Sequence, residues 1–259
     1  MELVHSSDGT TIAFDRSGDG PGLILVFGAF GDRLTATTLA GVLATDFTVY
    51  SYDRRGRGSS GDTAPYSVER EIEDLDAVIS AAGGSAFVFG HSSGAVLALE
   101  SAARGLPITR LAVYEPPYIV DDSRSRPVDL AGRVSELIAS GRQGDAIKIF
   151  LVEGVEMPDE VAARIEAAPT WAGMKAIAHT LPYDLAICGD QTMPAERMAQ
   201  IRIPTLAIDG GNSPEWARNT VRAVAAALPD ARRISLEGQT HGAADDVLAP
   251  VLVDFFLPD

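Results

Sequence analysis

Cysteine is nearly absent. Cys188 is the only one in 259 residues, so no disulfide can form within the chain. No apolar run is long enough to span a bilayer, and Met1-Glu2-Leu3-Val4-His5 carries neither the basic nor the apolar region of a signal peptide. Both absences make the cytoplasm the expected compartment. Basic side chains are also scarce: 21 Lys and Arg stand against 36 Asp and Glu, a formal net charge of -15. Nucleic acid and anionic membrane surfaces would be repelled, so neither is expected as a partner. Only four histidines are present. Any chemistry that needs an imidazole base must therefore draw on His5, His91, His179 or His241. Internal repeats and low-complexity stretches are missing, and the length suits one α/β domain carrying an insertion.

What is there centres on Ala86-Phe87-Val88-Phe89-Gly90-His91-Ser92-Ser93-Gly94-Ala95, an apolar strand that runs through a tight turn directly into a helix. A strand that is apolar at every position is buried on both faces, as in the middle of a parallel sheet. Gly90 and Gly94 lack Cβ atoms and let strand and helix approach closely around Ser92, which the turn holds in a strained conformation. The first free amides of the new helix, beginning at Ser93, point toward the Ser92 hydroxyl and can stabilise negative charge there.

Other segments read in the same way. Residues 2 to 15 form a β-hairpin around Ser6-Ser7-Asp8-Gly9, and buried strands follow at Leu23–Phe27, Phe47–Tyr52, Ile108–Tyr114 and Thr205–Asp209. Gly56-x-Gly58-x-x-Gly61 has the spacing of a dinucleotide-binding loop. The chain stays irregular through Asp62-Thr63-Ala64-Pro65-Tyr66, however, so no helix N-terminus is there to hold a pyrophosphate. Ser67 is expected to cap a helix whose apolar stripe is Val68, Ile72, Leu75 and Ile79. Its acidic residues Glu69, Glu71, Glu73, Asp74 and Asp76 are expected to form a solvated face without a metal. Ser213 and Pro214 read as N-cap and first residue of a later helix.

Gly-His-Ser-Ser-Gly between strand and helix resembles the nucleophile elbow of the α/β-hydrolase superfamily. That resemblance implies a mostly parallel α/β sheet with helices on both faces, spanning residues 1–117 and 203–259. It also implies a helical cap over residues 118–202, inserted after the sixth strand. Phe150, Met157, Trp171, Met174, Leu181 and Tyr183 of the cap are candidates for its core or for the lining of an apolar cavity. The loop after Phe27, which stands where the family usually has histidine, would supply the Ala29 amide as one oxyanion donor, with Ser93 as the other. Asp53-Arg54-Arg55-Gly56-Arg57-Gly58-Ser59-Ser60 looks like the family's loop after the fourth strand, with arginines expected in structural ion pairs.

By the same resemblance Ser92 is the nucleophile and His241, in the loop after the last strand, its base. The family usually places its acid in Gly-x-x-Asp after the seventh strand, but counting from Gly210 reaches Ser213. Two carboxylates remain. Glu115 ends the sixth strand before a rigid Pro-Pro step, and Asp209 ends the seventh; Glu115 is the favoured acid and Asp209 the alternative. The implied activity is hydrolysis of an ester, thioester or lactone of a small apolar molecule, with no cofactor and no metal. Non-hydrolytic chemistry on the same fold (lyase, cyclase or cofactor-free perhydrolase) and non-catalytic binding of a small molecule are the alternatives.

Overall fold

In the computed structural model, which describes residues 1–258, eight strands form one sheet in the order β1-β2-β4-β3-β5-β6-β7-β8. They are β1 (Glu2–His5), β2 (Thr11–Ser17), β3 (Gly22–Val26), β4 (Thr48–Tyr52), β5 (Ala86–His91), β6 (Ile108–Tyr114), β7 (Thr205–Gly210) and β8 (Ala231–Leu236). The β1–β2 and β2–β4 pairs are antiparallel and all others parallel. From β3 the chain steps out to β4, then returns to β5 on the other side of β3. The loops leaving β3 and β5 therefore diverge and open a crevice at the carboxyl edge of the sheet.

The apolar strands are buried because both faces of the sheet are covered. Ile24, Val26, Val88 and Val113 enter one core with α2 (Val68–Ala81), α3 (Ser93–Ala103) and α10 (Glu215–Ala227). The alternate residues Leu23, Leu25, Phe89 and Ala112 enter a second core with α1 (Thr37–Leu43) and α11 (Asp245–Phe256). The period of two along each strand thus feeds two separate cores.

Between β6 and β7 the chain is helical. It forms α4 (Leu130–Ala139), α5 (Gln143–Ile149), a π-helical turn (Phe150–Gly154), α6 (Asp159–Glu166), α7 (Trp171–Ile177), α8 (Leu181–Cys188) and α9 (Ala195–Met198). Phe150 and Leu181 belong to this cap's own core, and Met157, Trp171 and Met174 pack on it. Tyr183 instead stacks on Tyr66, ring centroids 3.9 Å apart. Among the described residues no helix is long and apolar enough to cross a membrane.

Two local expectations are corrected. The acidic side of α2 is not wholly solvated, because Glu71 and Asp74 are each 1% exposed. Glu71 takes two hydrogen bonds from Arg54 at 2.6 and 2.7 Å, and Asp74 two from Arg55 at 2.7 Å. A carboxylate is held inside only when a fixed cation meets it, and the loop after β4 supplies those cations, as expected for its arginines. Ser213 makes no capping bond either. The helix begins one residue later with Pro214 as its cap residue, and the Ser213 side chain lies beside Glu115.

Candidate active site

Three non-glycine residues at the carboxyl edge of the sheet adopt left-handed backbone: Phe30 (φ 62), Ser92 (φ 58) and Glu115 (φ 45). Such conformations persist only where the surroundings enforce them, and they gather at functional sites. At Ser92 the enforcement is visible. A Cβ on Gly90 would lie 2.7 Å from Ala95 Cα, and one on Gly94 would strike the Val26 carbonyl oxygen. Strand and helix thus touch where the turn needs them to, with Ser92 at the apex and its amide hydrogen-bonded to the Tyr114 carbonyl at 2.9 Å.

Glu115 leaves the adjacent strand. Its Oε1 accepts the Gly210 amide at 2.8 Å, and its Oε2 lies 2.6 Å from His241 Nδ1. Burial opposes its ionisation, yet the hydrogen bond and charge of His241, together with the Gly210 amide, hold the carboxyl below its ordinary pKa. The carboxylate is 1% exposed while the His241 side chain is 38% exposed, so the imidazole is anchored on its inner edge and open on the other. Nδ1 therefore donates to the Glu115 carboxylate, and Nε2 lies on the open edge of the ring. Among the described residues, Ser92 Oγ and His241 Nε2 are not joined by a hydrogen bond. Asp209 is committed elsewhere, to Arg233 at 2.8 and 3.0 Å and to Ser235 at 2.7 Å.

Two contacts at this edge were not foreseen from sequence. His91 Nε2 hydrogen-bonds the His241 carbonyl at 2.8 Å, and the two rings lie 4.6 Å apart. Burial, then the nearby charge of His241, push the His91 pKa down to about 4, so its ring is neutral and donates that bond. Tyr114 hydroxyl donates to the Thr240 carbonyl at 2.5 Å. Both hold the loop that carries His241. Neither has a local signature beyond being neighbours of Ser92 and Glu115 in the chain. His5 is exposed, and His179, in the cap, faces Asp62 at 3.8 Å.

The loop after β3 completes the edge. Its Ala29 amide and the Ser93 amide have no hydrogen-bond acceptor among the described residues, so both are available to a ligand. Phe27 packs 5.9 Å from the His91 ring in the place of the family's usual histidine. A cavity of about 340 Å³ lies against Gly28, Ala29, Phe30, His91 and Tyr114. A wider cleft of about 740 Å³ opens between Phe30, Gly58 and the cap residues Met174, Ile177 and His179.

Comparison with known proteins agrees with this architecture. An α/β-hydrolase of Sphaerobacter thermophilus is 59% identical, with a TM-score of 0.96 over 98% of this chain and 100% of that one. The enol-lactonase of Burkholderia xenovorans shares the fold at 20% identity, TM-score 0.75, over 98% of this chain and 99% of that one. N-formylmaleamate deformylase of Pseudomonas putida is 34% identical over 139 residues, 51% of this chain and 52% of that enzyme. An uncharacterized hydrolase of Bacillus subtilis is 28% identical over 55% of this chain and 54% of its own. The chain thus spans about half the length of these two curated relatives. The model of the alpha/beta hydrolase family matches residues 21–251. The strand order, the turn at Ser92 and this match over most of the chain agree: the protein belongs to the α/β-hydrolase family.

Proposed function

We propose that this hydrolase cleaves an ester, thioester or lactone of a small apolar molecule through Ser92, His241 and Glu115. The observation that carries the reading is the 2.6 Å contact between His241 Nδ1 and Glu115 Oε2 beside a strained serine turn. A serine hydroxyl is a poor nucleophile until a base removes its proton. Glu115 holds the imidazole in the tautomer whose Nε2 can do so. Ser92 Oγ attacks the carbonyl carbon, its proton passes to His241, and negative charge gathers on the carbonyl oxygen. The amides of Ala29 and Ser93 receive that charge at the positive end of α3. Collapse of the tetrahedral adduct expels the leaving group, protonated by His241, and water repeats the sequence to release the acid. The contact between Ser92 and His241 closes during reaction, since such bonds are commonly long in the free enzyme.

The names deformylase and enol-lactonase among the similar proteins are both acyl-transfer activities, in keeping with this chemistry. A fluorophosphonate probe tests the proposal. It is expected to form one covalent adduct, on Ser92, and His241→Ala is expected to slow the labelling strongly. An unlabelled Ser92 in the folded protein would overturn the reading.

A further inference from the structure

We infer that Asp184, a carboxylate of the cap helix α8, is the positioning residue that sets both amides of the oxyanion hole. The inference rests on the serine-hydrolase reading above. Asp184 is 1% exposed, so no bulk water competes for its oxygens. Its Oδ1 accepts the Ser93 hydroxyl at 2.6 Å and Arg54 Nη1 at 2.8 Å. Its Oδ2 accepts Arg57 Nη2 at 2.7 Å. Burial disfavours the ionised carboxyl, but the charges of Arg57 and Arg54 hold its pKa below the ordinary value. Glu71 on the far side of Arg54 supplies the second negative charge, so two cations meet two anions.

The two arginines then reach the loop after β3. Arg57 Nη1 donates to the carbonyls of Gly28 at 2.6 Å and Gly31 at 3.2 Å, and Arg54 Nη1 to that of Phe27 at 3.3 Å. The Gly28 carbonyl and the Ala29 N–H belong to one planar trans peptide and point in opposite directions. A guanidinium that grips the carbonyl therefore fixes where the amide aims, and polarises it toward an incoming anion. On the other side of the hole, the Ser93 hydroxyl and Ser93 amide share one Cα. Tying that hydroxyl to Asp184 restrains the amide. One carboxylate thus reaches both donors, one through Arg57 and the other through the Ser93 side chain. Because Asp184 sits in the cap, the hole is fully set only when the cap is seated.

An ordinary fold-stabilising ion cluster would contain the same pairs, so the test must separate rate from stability. Ser93→Ala removes the hydroxyl and leaves the backbone amide and all four charges. Asp184→Asn removes the charge and keeps the shape. Fluorophosphonate inactivation of the full chain gives kinact and KI separately, and thermal melting gives stability. Losing one oxyanion donor outright costs about 10²–10³ in rate, so misaiming one should lower kinact about 10- to 100-fold. KI should stay within about twofold, because ground-state binding does not use the hole. Should Asp184→Asn fail to fold, Ser93→Ala decides alone. Wild-type kinact in a folded Ser93→Ala protein, whatever its melting temperature, overturns the inference and leaves the serine reading intact. Absence of any Ser92 adduct in the wild-type protein overturns both.

Discussion

Replacing Glu115 by glutamine separates the two carboxylates that compete for the role of acid. The change keeps size and leaves one oxygen to accept the Gly210 amide, now at 2.8 Å, so the fold is expected to survive. What changes is the group 2.6 Å from His241 Nδ1. If the glutamine presents its NH₂ there, two donors face each other, and the imidazole must move its proton to Nε2, where it can no longer accept one from Ser92. If it presents its oxygen instead, the Gly210 amide loses its acceptor and the charge that steadies the imidazolium is still gone. The loss expected for an orienting carboxylate is on the order of 10⁴ in turnover, about 5.5 kcal/mol of transition-state stabilisation. Asp209→Asn is the control. It weakens the hydrogen bonds that the buried Asp209 takes from Arg233 and Ser235 and leaves His241 untouched. Its rate should stay within about threefold of wild type. Both variants are assayed by fluorophosphonate labelling of Ser92 and by hydrolysis of a short-chain aryl ester. If Glu115→Gln keeps its rate within tenfold while Asp209→Asn collapses, the assignment of the acid is wrong.

His91 stays neutral in the folded protein down to about pH 4, against 6.5 for an ordinary histidine. As pH falls through 6.5 the unfolded chain takes up a proton that the folded one refuses, so stability drops between about 6.5 and 4, by up to about 3 kcal/mol. Urea midpoints measured across that window should fall less steeply in His91→Gln; equal slopes would assign the loss to other groups. Glu71→Gln strands the buried Arg54 guanidinium with one carboxylate instead of two, and breaking such a pair costs about 3–5 kcal/mol. An unchanged denaturation midpoint would contradict that. Gly28→Ala brings a methyl within 2.8 Å of Ser92 Cβ, which must shift the loop that carries the Ala29 amide. Its labelling rate should fall at least tenfold with the circular dichroism spectrum unchanged, since a displacement of about 1 Å can cost 10²-fold in rate.

Residues 86 to 103 were legible because strand, turn and helix are written locally, in an unbroken apolar run and two glycines. His241 was singled out by its place after the last strand, and the structure sets its Nδ1 2.6 Å from Glu115 Oε2. The acid stayed open between Glu115 and Asp209, since both end neighbouring parallel strands and only tertiary contacts distinguish them. Asp209 proved to be taken by Arg233 and Ser235. Glu71 and Asp74 were misread for a related reason. Helical periodicity describes one helix at a time, and the arginines that draw these carboxylates inward lie 17 and 19 residues away. Asp184 gave no sign at all. It lies on a short cap helix 91 residues from Ser93 and 127 from Arg57, and nothing near it in the chain announces either partner.

In the proposed assignment the nucleophile and the acid leave the ends of two neighbouring hydrogen-bonded strands, β5 and β6, while the loop after β8 brings in the base. His91 sits opposite Tyr114 in the β5–β6 register, and Ser92 and Glu115 are the next residue on each. Ser92 and Glu115 therefore follow one rung of the β5–β6 ladder, and the sheet sets the spacing of the proposed nucleophile and acid. The turn after β7 carries no reacting group in that assignment, yet it grips the acid: the Gly210 amide holds Glu115 Oε1 and the Ser213 side chain lies beside it, so a change of length there would loosen Glu115.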